Sequence, residues 1–142
     1  MAIQSFTIEY SFLSNFYPCL IEFEGEIYRT VEHAYQAAKT HDPDERRKIR
    51  EEEQTGKAKR MGKRVTIRED WEQIKVKVMR ELLKKKFENP QFRKLLLDTY
   101  PHELIEGNNW GDTYWGKCNG HGKNMLGILL MQIRSELRGE GW

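Results

Sequence analysis

The chain has 142 residues, of which 38% are hydrophobic and 32% charged, and its formal net charge is +2. This length fits one domain around a single core, and 11% aromatic residues exclude a disordered chain in spite of a mean hydropathy of −0.81. The longest apolar stretch, Met125 to Met131, is far shorter than the roughly 20 residues that cross a bilayer. We therefore predict a single domain over residues 1–142, with no membrane span.

The N-terminal segment and the cysteines bear on where the protein works. Residues 1–10 lack a basic start followed by an apolar block, so no secretory signal is expected. Cys19 and Cys118 are predicted to be reduced thiols, since a lone pair of cysteines in a chain without such a signal is typical of a reducing compartment. A cytoplasmic monomer is the expectation.

Two segments near the N-terminus are predicted to form strands, residues 3–10 and residues 19–30. Glu24-Gly25 separates two short apolar runs in the second segment and indicates a hairpin turn. The expected result is a small N-terminal antiparallel sheet.

The rest of the chain is predicted to be mostly helical, which gives an α+β fold in which about five to six helices pack on the sheet. The first expected helix is capped by Thr30 and runs to Lys39, the second starts at Asp42-Pro43, and a short basic helix runs from Thr55 or Gly56 to about Gly62. A longer helix is expected from Glu69-Asp70 to Asn89-Pro90, with an apolar stripe of Trp71, Ile74, Val78, Leu82 and Phe87. The last two expected helices are one that holds Phe92, Leu95 and Leu96 and one that is capped by Asn124.

A glycine-rich loop, residues 107–123, precedes the last helix. It contains five Gly and two Trp, and an irregular loop of this length inside a compact domain is usually functional. Asp112 lies between Trp110 and Trp115. The two indoles either cap the core or stack on a planar ligand, and Asp112 is either a turn former or an acid, a base or an acceptor for a ribose hydroxyl.

Several familiar motifs are excluded by their spacing. The segment Gly56 to Arg64 has two glycines and a lysine but lacks the Ser/Thr and the preceding strand of a phosphate loop, so it is interpreted as a basic helix. Cys118-x-x-His121 has no second ligand pair except the distant Cys19, which makes a zinc site improbable. We predict no metal and no cofactor.

The first predicted helix carries the most informative cluster. At about 100° per residue, Glu32, Gln36 and Lys39 fall on one narrow face. One interpretation is a solvated face on which Gln36 separates an acid from a lysine. The alternative is that the helix lines a cleft, where desolvation lowers the pKa of Lys39 so that its amine acts as a nucleophile while Glu32 moves protons.

Together these motifs resemble the NADAR family, named for NAD and ADP-ribose, whose characterised members resemble YbiA-type N-glycosidases. The resemblance covers about residues 10–138. Its motifs are Phe12-Leu-Ser-Asn-Phe16, Tyr28-x-x-x-Glu32-His33-x-Tyr35-Gln36-x-x-Lys39, Trp71 and Met79 with Lys86-Phe87, Asp112-x-x-Trp115-Gly116, Gly122-x-Asn124-x-Leu126-Gly127 and Leu130-Met131-x-x-Arg134. It implies a YbiA-like fold and an enzyme that hydrolyses a bond between ribose C1 and nitrogen.

The resemblance also implies the substrates. One branch of the family acts on phosphorylated ribosylamino-pyrimidine intermediates of riboflavin synthesis, and another removes ADP-ribose from guanine in nucleic acid, as an antitoxin. The expected partner is therefore a substrate containing ADP-ribose or ribose phosphate, with ADP-ribosylated single-stranded DNA as one option. A non-catalytic ADP-ribose or nucleotide-binding module is the alternative function, and a general nucleic-acid binder is disfavoured by a net charge of only +2.

By position, the resemblance implies that Glu32, Lys39 and Asp112 are the catalytic residues. The expected substrate-binding residues are Ser14, Asn15, Phe16, Tyr28, Arg29, Gln36, Trp71, Trp110 and Trp115. Within that set, Ser14, Asn15 and Arg29 are expected to bind phosphate or ribose, and Phe16 with the tryptophans to wall the base. Where the family has a Gly-Arg step, this chain has Gly62-Lys63-Arg64, which leaves two candidates for the basic residue that faces the ligand.

Overall fold

In the computed structural model, which describes residues 1–139, the chain forms α-helices joined by short strands and one 3₁₀ helix, Ile8–Leu13. The helices are α1 Val31–Ala38, α2 Pro43–Glu51, α3 Thr55–Met61, α4 Trp71–Glu88, α5 Pro90–Leu97 and α6 Met125–Leu137. The strands are β1 Ala2–Ile3, β2 Ile21–Phe23, β3 Glu26–Tyr28, β4 Glu103–Leu104, β5 Gly107–Asn108 and β6 Lys117–Cys118. The predicted α+β, mostly helical class is confirmed.

Packing divides the described residues into two compact units. One unit is residues 15–86, and the other combines residues 1–14 with residues 87–139. Each is described separately below, and the single domain over residues 1–142 stays a prediction. None of the helices within residues 1–139 is both long and apolar enough to span a membrane.

The hairpin of the 15–86 unit forms as predicted, with shorter strands than expected. β2 and β3 pair antiparallel, with Ile21 opposite Tyr28 and Phe23 opposite Glu26. Glu24 and Gly25 both have positive φ, 49° and 87°, which is the backbone of the turn that matches the twist of a two-residue hairpin.

Helix α1 is the centre of the 15–86 unit. Thr30 caps it as predicted, because its Oγ1 accepts a hydrogen bond from the His33 N–H at 3.0 Å. Every residue from Val31 to Ala38 is buried, and the helix packs against α2 and α3. A helix enclosed in this way places its polar side chains in the interior.

The helices that follow begin where local capping rules place them. The Asp42 carboxylate accepts hydrogen bonds from the Asp44 and Glu45 N–H groups at the start of α2, where Pro43 needs no partner. On α4, Trp71, Val78 and Leu82 of the predicted stripe are buried. Local sequence therefore sets the helix starts, and the apolar spacing sets the buried face.

In the other unit, the predicted strand over residues 3–10 is wrong for most of its length. Only Ala2–Ile3 is extended, and it pairs parallel to β4. The chain then turns into the 3₁₀ helix, which buries Phe12 and Leu13 and leaves Ile8 90% exposed. The partner strand is only two residues long, so there is no sheet to hold the remainder extended.

The glycine-rich segment 107–123 contains two short strands that were not predicted. β5 and β6 pair parallel, with Gly107 opposite Lys117. The predicted cap of α6 by Asn124 is also wrong, because the Asn124 side chain makes no capping hydrogen bond. Its Oδ1 accepts from the Glu106 N–H and its Nδ2 donates to the Leu104 carbonyl, so it fastens the chain after β4 to the start of α6.

Candidate active site

The polar face of α1 is buried, and the interpretation of this face as solvated is therefore wrong. Glu32 is 7% exposed, Gln36 is 4% exposed and Lys39, just past the last helical turn, is half-buried. Packing of α1 against α2 and α3 removes water from all sides of this short helix. A buried carboxylate, a buried amide and a half-buried lysine on one face are rarely placed for folding alone, since burying polar groups is costly.

The Gln36 amide binds the Glu32 carboxylate directly. Gln36 Nε2 donates a hydrogen bond to Glu32 Oε2 at 2.5 Å. Gln36 Oε1 is buried and has no hydrogen-bond partner among residues 1–139. The reverse orientation of the amide would set its oxygen against a carboxylate oxygen, so the orientation follows from the charge on Glu32.

Lys39 lies in surroundings that favour its neutral amine. Burial lowers its pKa below the usual 10.5, the Glu32 carboxylate opposes that shift, and the positive charges of Lys59, Lys63 and Lys75 lower the pKa further. The Lys39 Nζ also lies 5.6 Å from the centroid of the Tyr35 ring. A lysine with a lowered pKa is a better nucleophile near neutral pH.

Asn15 and Phe16 join this face from the segment that precedes β2. The Asn15 carbonyl accepts a hydrogen bond from the Glu32 N–H at 3.1 Å, and its side-chain Nδ2 lies 3.6 Å from the Met79 sulfur. Asn15 Oδ1 is buried without a hydrogen-bond partner within the described chain. Phe16 is 41% exposed, with the Lys59 Nζ 5.8 Å from its ring centroid. The structure thus gathers Asn15, Glu32, Gln36 and Lys39.

Two expected substrate-binding residues are core side chains. Tyr28 is 1% exposed, and burial raises its pKa. Trp71 is 4% exposed, and its ring centroid lies 5.1 Å from that of Tyr35 at an interplanar angle of 58°. Both serve packing here, and contact with a ligand stays a prediction for each.

Arg29 is not among the charges that act on Lys39. It is exposed and, with Cys19, Glu53 and Thr55 among its neighbours, lines an open hollow of about 440 Å³. Burial lowers the pKa of His33, and the charge of Arg29 lowers it further. Its role in binding phosphate or ribose stays a prediction.

Lys59 and Lys75 are residues that sequence reasoning missed, while Lys63 was one of its two candidates for a basic residue facing the ligand. Lys59 lies on α3, and Lys63 follows the end of that helix. Both act on Lys39, as does Lys75 of α4, whereas Arg64 does not. The signal was present in the basic segment that starts at Gly56, but only its packing against α1 indicates which of its charges matter.

Ser14, Trp110, Asp112 and Trp115 belong to the other unit. Ser14 is half-buried, and Trp110 is 61% exposed. Asp112 is half-buried, and its Oδ1 accepts hydrogen bonds from the Tyr114 and Trp115 N–H groups at 3.1 and 2.9 Å. Trp115 stacks edge-on against Tyr114, with ring centroids 5.0 Å apart. Asp112 therefore forms a turn, and its second carboxylate oxygen takes no part in those bonds.

Metal-ligating side chains are not grouped in the part of the chain that the structure describes. Residues 1–139 contain no set of three or more His, Cys, Asp or Glu side chains able to hold an ion. Cys118 and His121 instead exchange backbone hydrogen bonds across a tight turn at Asn119-Gly120, where φ is positive at both residues. Cys19 and Cys118 are free thiols.

Comparison with known proteins places this geometry in a family. The sequence matches the NADAR domain over residues 4–138. It is 41% identical over 133 residues to the N-glycosidase YbiA of Shigella boydii serotype 4 (strain Sb227), covering 91% of this chain and 82% of that protein. It is 38% identical over 133 residues to a riboflavin biosynthesis protein of Vibrio vulnificus (strain YJ016), covering 91% of this chain and 36% of that protein.

The fold agrees with the sequence comparison. The structure superposes on the NMR structure of the E. coli protein YbiA with a TM-score of 0.85 and 39% sequence identity, covering 97% of this chain and 84% of that chain. The YbiA-like fold is therefore confirmed. The chain belongs to the NADAR domain family.

Proposed function

We propose that this protein is an N-glycosidase that hydrolyses the bond between ribose C1 and a nitrogen in a phosphorylated ribosyl substrate. The observation that carries the proposal is the buried polar face of α1, where Glu32 is 7% exposed beside a half-buried Lys39. The kinship with proteins named N-glycosidase supports the same reaction class.

The groups on this face are suited to a covalent route. The neutral Lys39 amine attacks C1 as the C1–O4′ bond breaks with its electron pair going to O4′, and the Glu32 carboxylate carries the first proton that the amine loses to O4′. Glu32 then takes the second amine proton to the departing nitrogen, which leaves with the electron pair of the C1–N bond. The resulting Lys39 imine is hydrolysed by water, which releases the sugar and restores the amine.

The charges around Lys39 favour a substrate that carries phosphate. Lys59 of α3, Lys63 just after α3 and Lys75 of α4 all act on the Lys39 amine. Such a concentration of positive charge attracts an anion and also favours the neutral form of the nearby amine. The exposed Phe16 ring beside Lys59 offers a flat surface for a base.

Among phosphorylated substrates, we favour a ribosylamino-pyrimidine phosphate. A relative that matches 91% of this chain is named a riboflavin biosynthesis protein, and pyrimidines of this kind are intermediates of that synthesis. ADP-ribosyl guanine in single-stranded DNA is the second candidate substrate. It predicts activity that weakens as salt rises, because phosphates beyond the ADP-ribose would be contacted.

The experiment offers both substrates to the protein and identifies the released base and sugar by mass spectrometry. Release of the pyrimidine with little dependence on salt supports the favoured substrate, and release of guanine supports the second. A protein that releases neither and still binds ADP-ribose is a binding module instead, and the proposal fails.

The covalent route is tested in the same reactions with borohydride. Reduction of the Lys39 imine fixes the sugar to the protein, and peptide mass spectrometry locates it. The Lys39→Ala variant is expected to lose both the adduct and the activity. Full activity of that variant would exclude Lys39 as nucleophile.

A further inference from the structure

Gly62, at the end of α3, is packed against the Gln36 side chain. A Cβ atom built on Gly62 would overlap Oε1 and Cδ of Gln36, so this position has no room for any side chain. The backbone does not require glycine there, since φ is −61° and ψ is −20°, values that every residue adopts. The absence of a side chain at position 62 therefore leaves the space that the Gln36 amide occupies.

Gln36 in turn holds Glu32. Its Nε2 donates to Glu32 Oε2, and its Oε1 lies in the space that a side chain at position 62 would fill. The buried amide makes one hydrogen bond, through Nε2, and its Oε1, which has no hydrogen-bond partner among residues 1–139, packs against Gly62. A chain of contacts thus runs from Gly62 through Gln36 to the carboxylate.

We propose that Gly62 is a positioning residue, which holds the Gln36 amide on Glu32 and so fixes the carboxylate that exchanges the proton. This inference rests on the proposed N-glycosidase function for its kinetic consequence only. The hydrogen bond from Gln36 fixes the orientation of the Glu32 carboxylate, which takes the proton from Lys39.

Gly62→Ala tests the inference, and Gly56→Ala is its matched control. Both positions lie on or directly after α3, but a Cβ at Gly56 meets only Arg60 Nη1 at 3.9 Å, an ordinary contact. The atoms that collide with a Cβ at position 62 are mainly the far end of a flexible side chain. Gln36 is therefore expected to swing away from Glu32 while the fold is kept, which thermal unfolding checks.

The first measurement is spectroscopic and needs no substrate. In ¹⁵N-edited NMR spectra, the Gln36 side-chain amide, assigned by its loss in Gln36→Ala, is expected to have one proton shifted downfield by its bond to a carboxylate. Gly62→Ala moves that proton to the position of an ordinary solvated amide, and Gly56→Ala leaves it in place. An unchanged proton in Gly62→Ala overturns the inference.

The second measurement is kinetic. Gly62→Ala and Gln36→Ala are each expected to lower kcat about tenfold to a hundredfold with little change in KM, which corresponds to losing one hydrogen bond to a charged group. In the double variant the loss stays that of Gln36→Ala alone, because Gly62 acts through Gln36. Losses that multiply in the double variant overturn the inference.

The two measurements separate this inference from the proposed function. If the wild-type protein hydrolyses neither substrate, the N-glycosidase proposal fails, and the amide proton still decides whether Gly62 places Gln36 on Glu32. If the wild-type protein is active and the amide proton is unmoved in Gly62→Ala, the function stands and the role of Gly62 is rejected.

Discussion

The backbone carbonyl of Asn15 accepts a hydrogen bond from the backbone N–H of Glu32 at 3.1 Å. Glu32 is the second residue of α1, and an N–H in the first turn of a helix has no partner within the helix. Asn15 therefore completes the start of α1 from outside and fixes the backbone of the carboxylate. Its side chain is not needed for this bond, so the two parts of Asn15 can be tested separately.

We expect Asn15→Leu to leave stability unchanged or higher while activity falls. The backbone bond to Glu32 is kept, and the substitution removes a buried Oδ1 that has no hydrogen-bond partner within residues 1–139, whose burial is unfavourable. A substitution that raises stability while it lowers activity is typical of a residue that binds a ligand. Urea unfolding and kcat/KM measure the two effects.

The control for Asn15→Leu is Asn89→Leu, which removes an Oδ1 that does accept hydrogen bonds. Asn89 Oδ1 caps α5 by accepting hydrogen bonds from the Gln91 and Phe92 N–H groups. Its loss should lower the free energy of unfolding by about 1 kcal/mol with activity intact. If Asn15→Leu behaves in the same way, Asn15 is a structural residue.

Removing the charge of Lys63 should move the pH profile of the enzyme. Lys63 lowers the pKa of Lys39, so Lys63→Gln raises it, and less of the Lys39 amine is neutral at a given pH. The rise of kcat/KM with pH is then expected at higher pH than in the wild type, with about a twofold to tenfold loss near neutrality because Lys63 is exposed and partly screened by solvent.

Lys57→Gln is the matched control for this profile. Lys57 lies on α3 and is exposed like Lys63, but it pairs with Glu52 at 3.9 Å and does not act on Lys39. Its profile should coincide with that of the wild type. An unmoved midpoint in Lys63→Gln, or an equal movement in Lys57→Gln, would contradict the role given to the charge.

Local features of the fold were predictable from the sequence because their causes lie within a few residues. Thr30 and Asp42 have side-chain oxygens that bond N–H groups two or three residues later, and Glu24-Gly25 forms the turn its residue types favour. The spacing of Glu32, Gln36 and Lys39 also predicted their common face. Each of these inferences needs only the geometry of one turn.

Features that depend on distant residues were not predictable. Asn124 is a good helix cap by composition, but its side chain bonds Leu104 and Glu106, whose position only the folded chain provides. The burial of the polar face of α1 likewise depends on α2 and α3 packing against it. For the same reason Gly62 is unremarkable in sequence and becomes informative only beside Gln36.

Substitutions of Asp112 separate a turn former from a catalytic acid. Asp112→Asn keeps an Oδ1 that accepts from the Tyr114 and Trp115 N–H groups, while the charge is lost. If Asp112 is catalytic, as the family resemblance implies, Asn lowers kcat about a hundredfold or more with the melting temperature unchanged. Asp112→Ala is then expected to lower both kcat and the melting temperature. A wild-type kcat in Asp112→Asn would mean that Asp112 is a turn former and not a catalytic acid.

Lys86 is a buried lysine whose titration should appear in the stability of the protein. It is 1% exposed, and burial lowers its pKa to about 7. In the unfolded chain the lysine keeps its usual value near 10.4 and stays protonated from pH 7 to pH 8, while in the folded chain it loses its proton. The unfolded state then binds more protons, so stability rises with pH.

The expected rise is about 1 kcal/mol between pH 7 and pH 8, measured as the free energy of unfolding in urea. The range ends at pH 8 because above it the Cys19 thiol, whose pKa burial raises, ionises more readily in the unfolded chain and lowers the stability. Lys86→Met should remove most of the rise, and Lys84→Met, at an exposed position of the same helix, should keep it. Equal slopes in the wild type and in Lys86→Met would mean that Lys86 is charged in the folded protein, held by partners that compensate its burial.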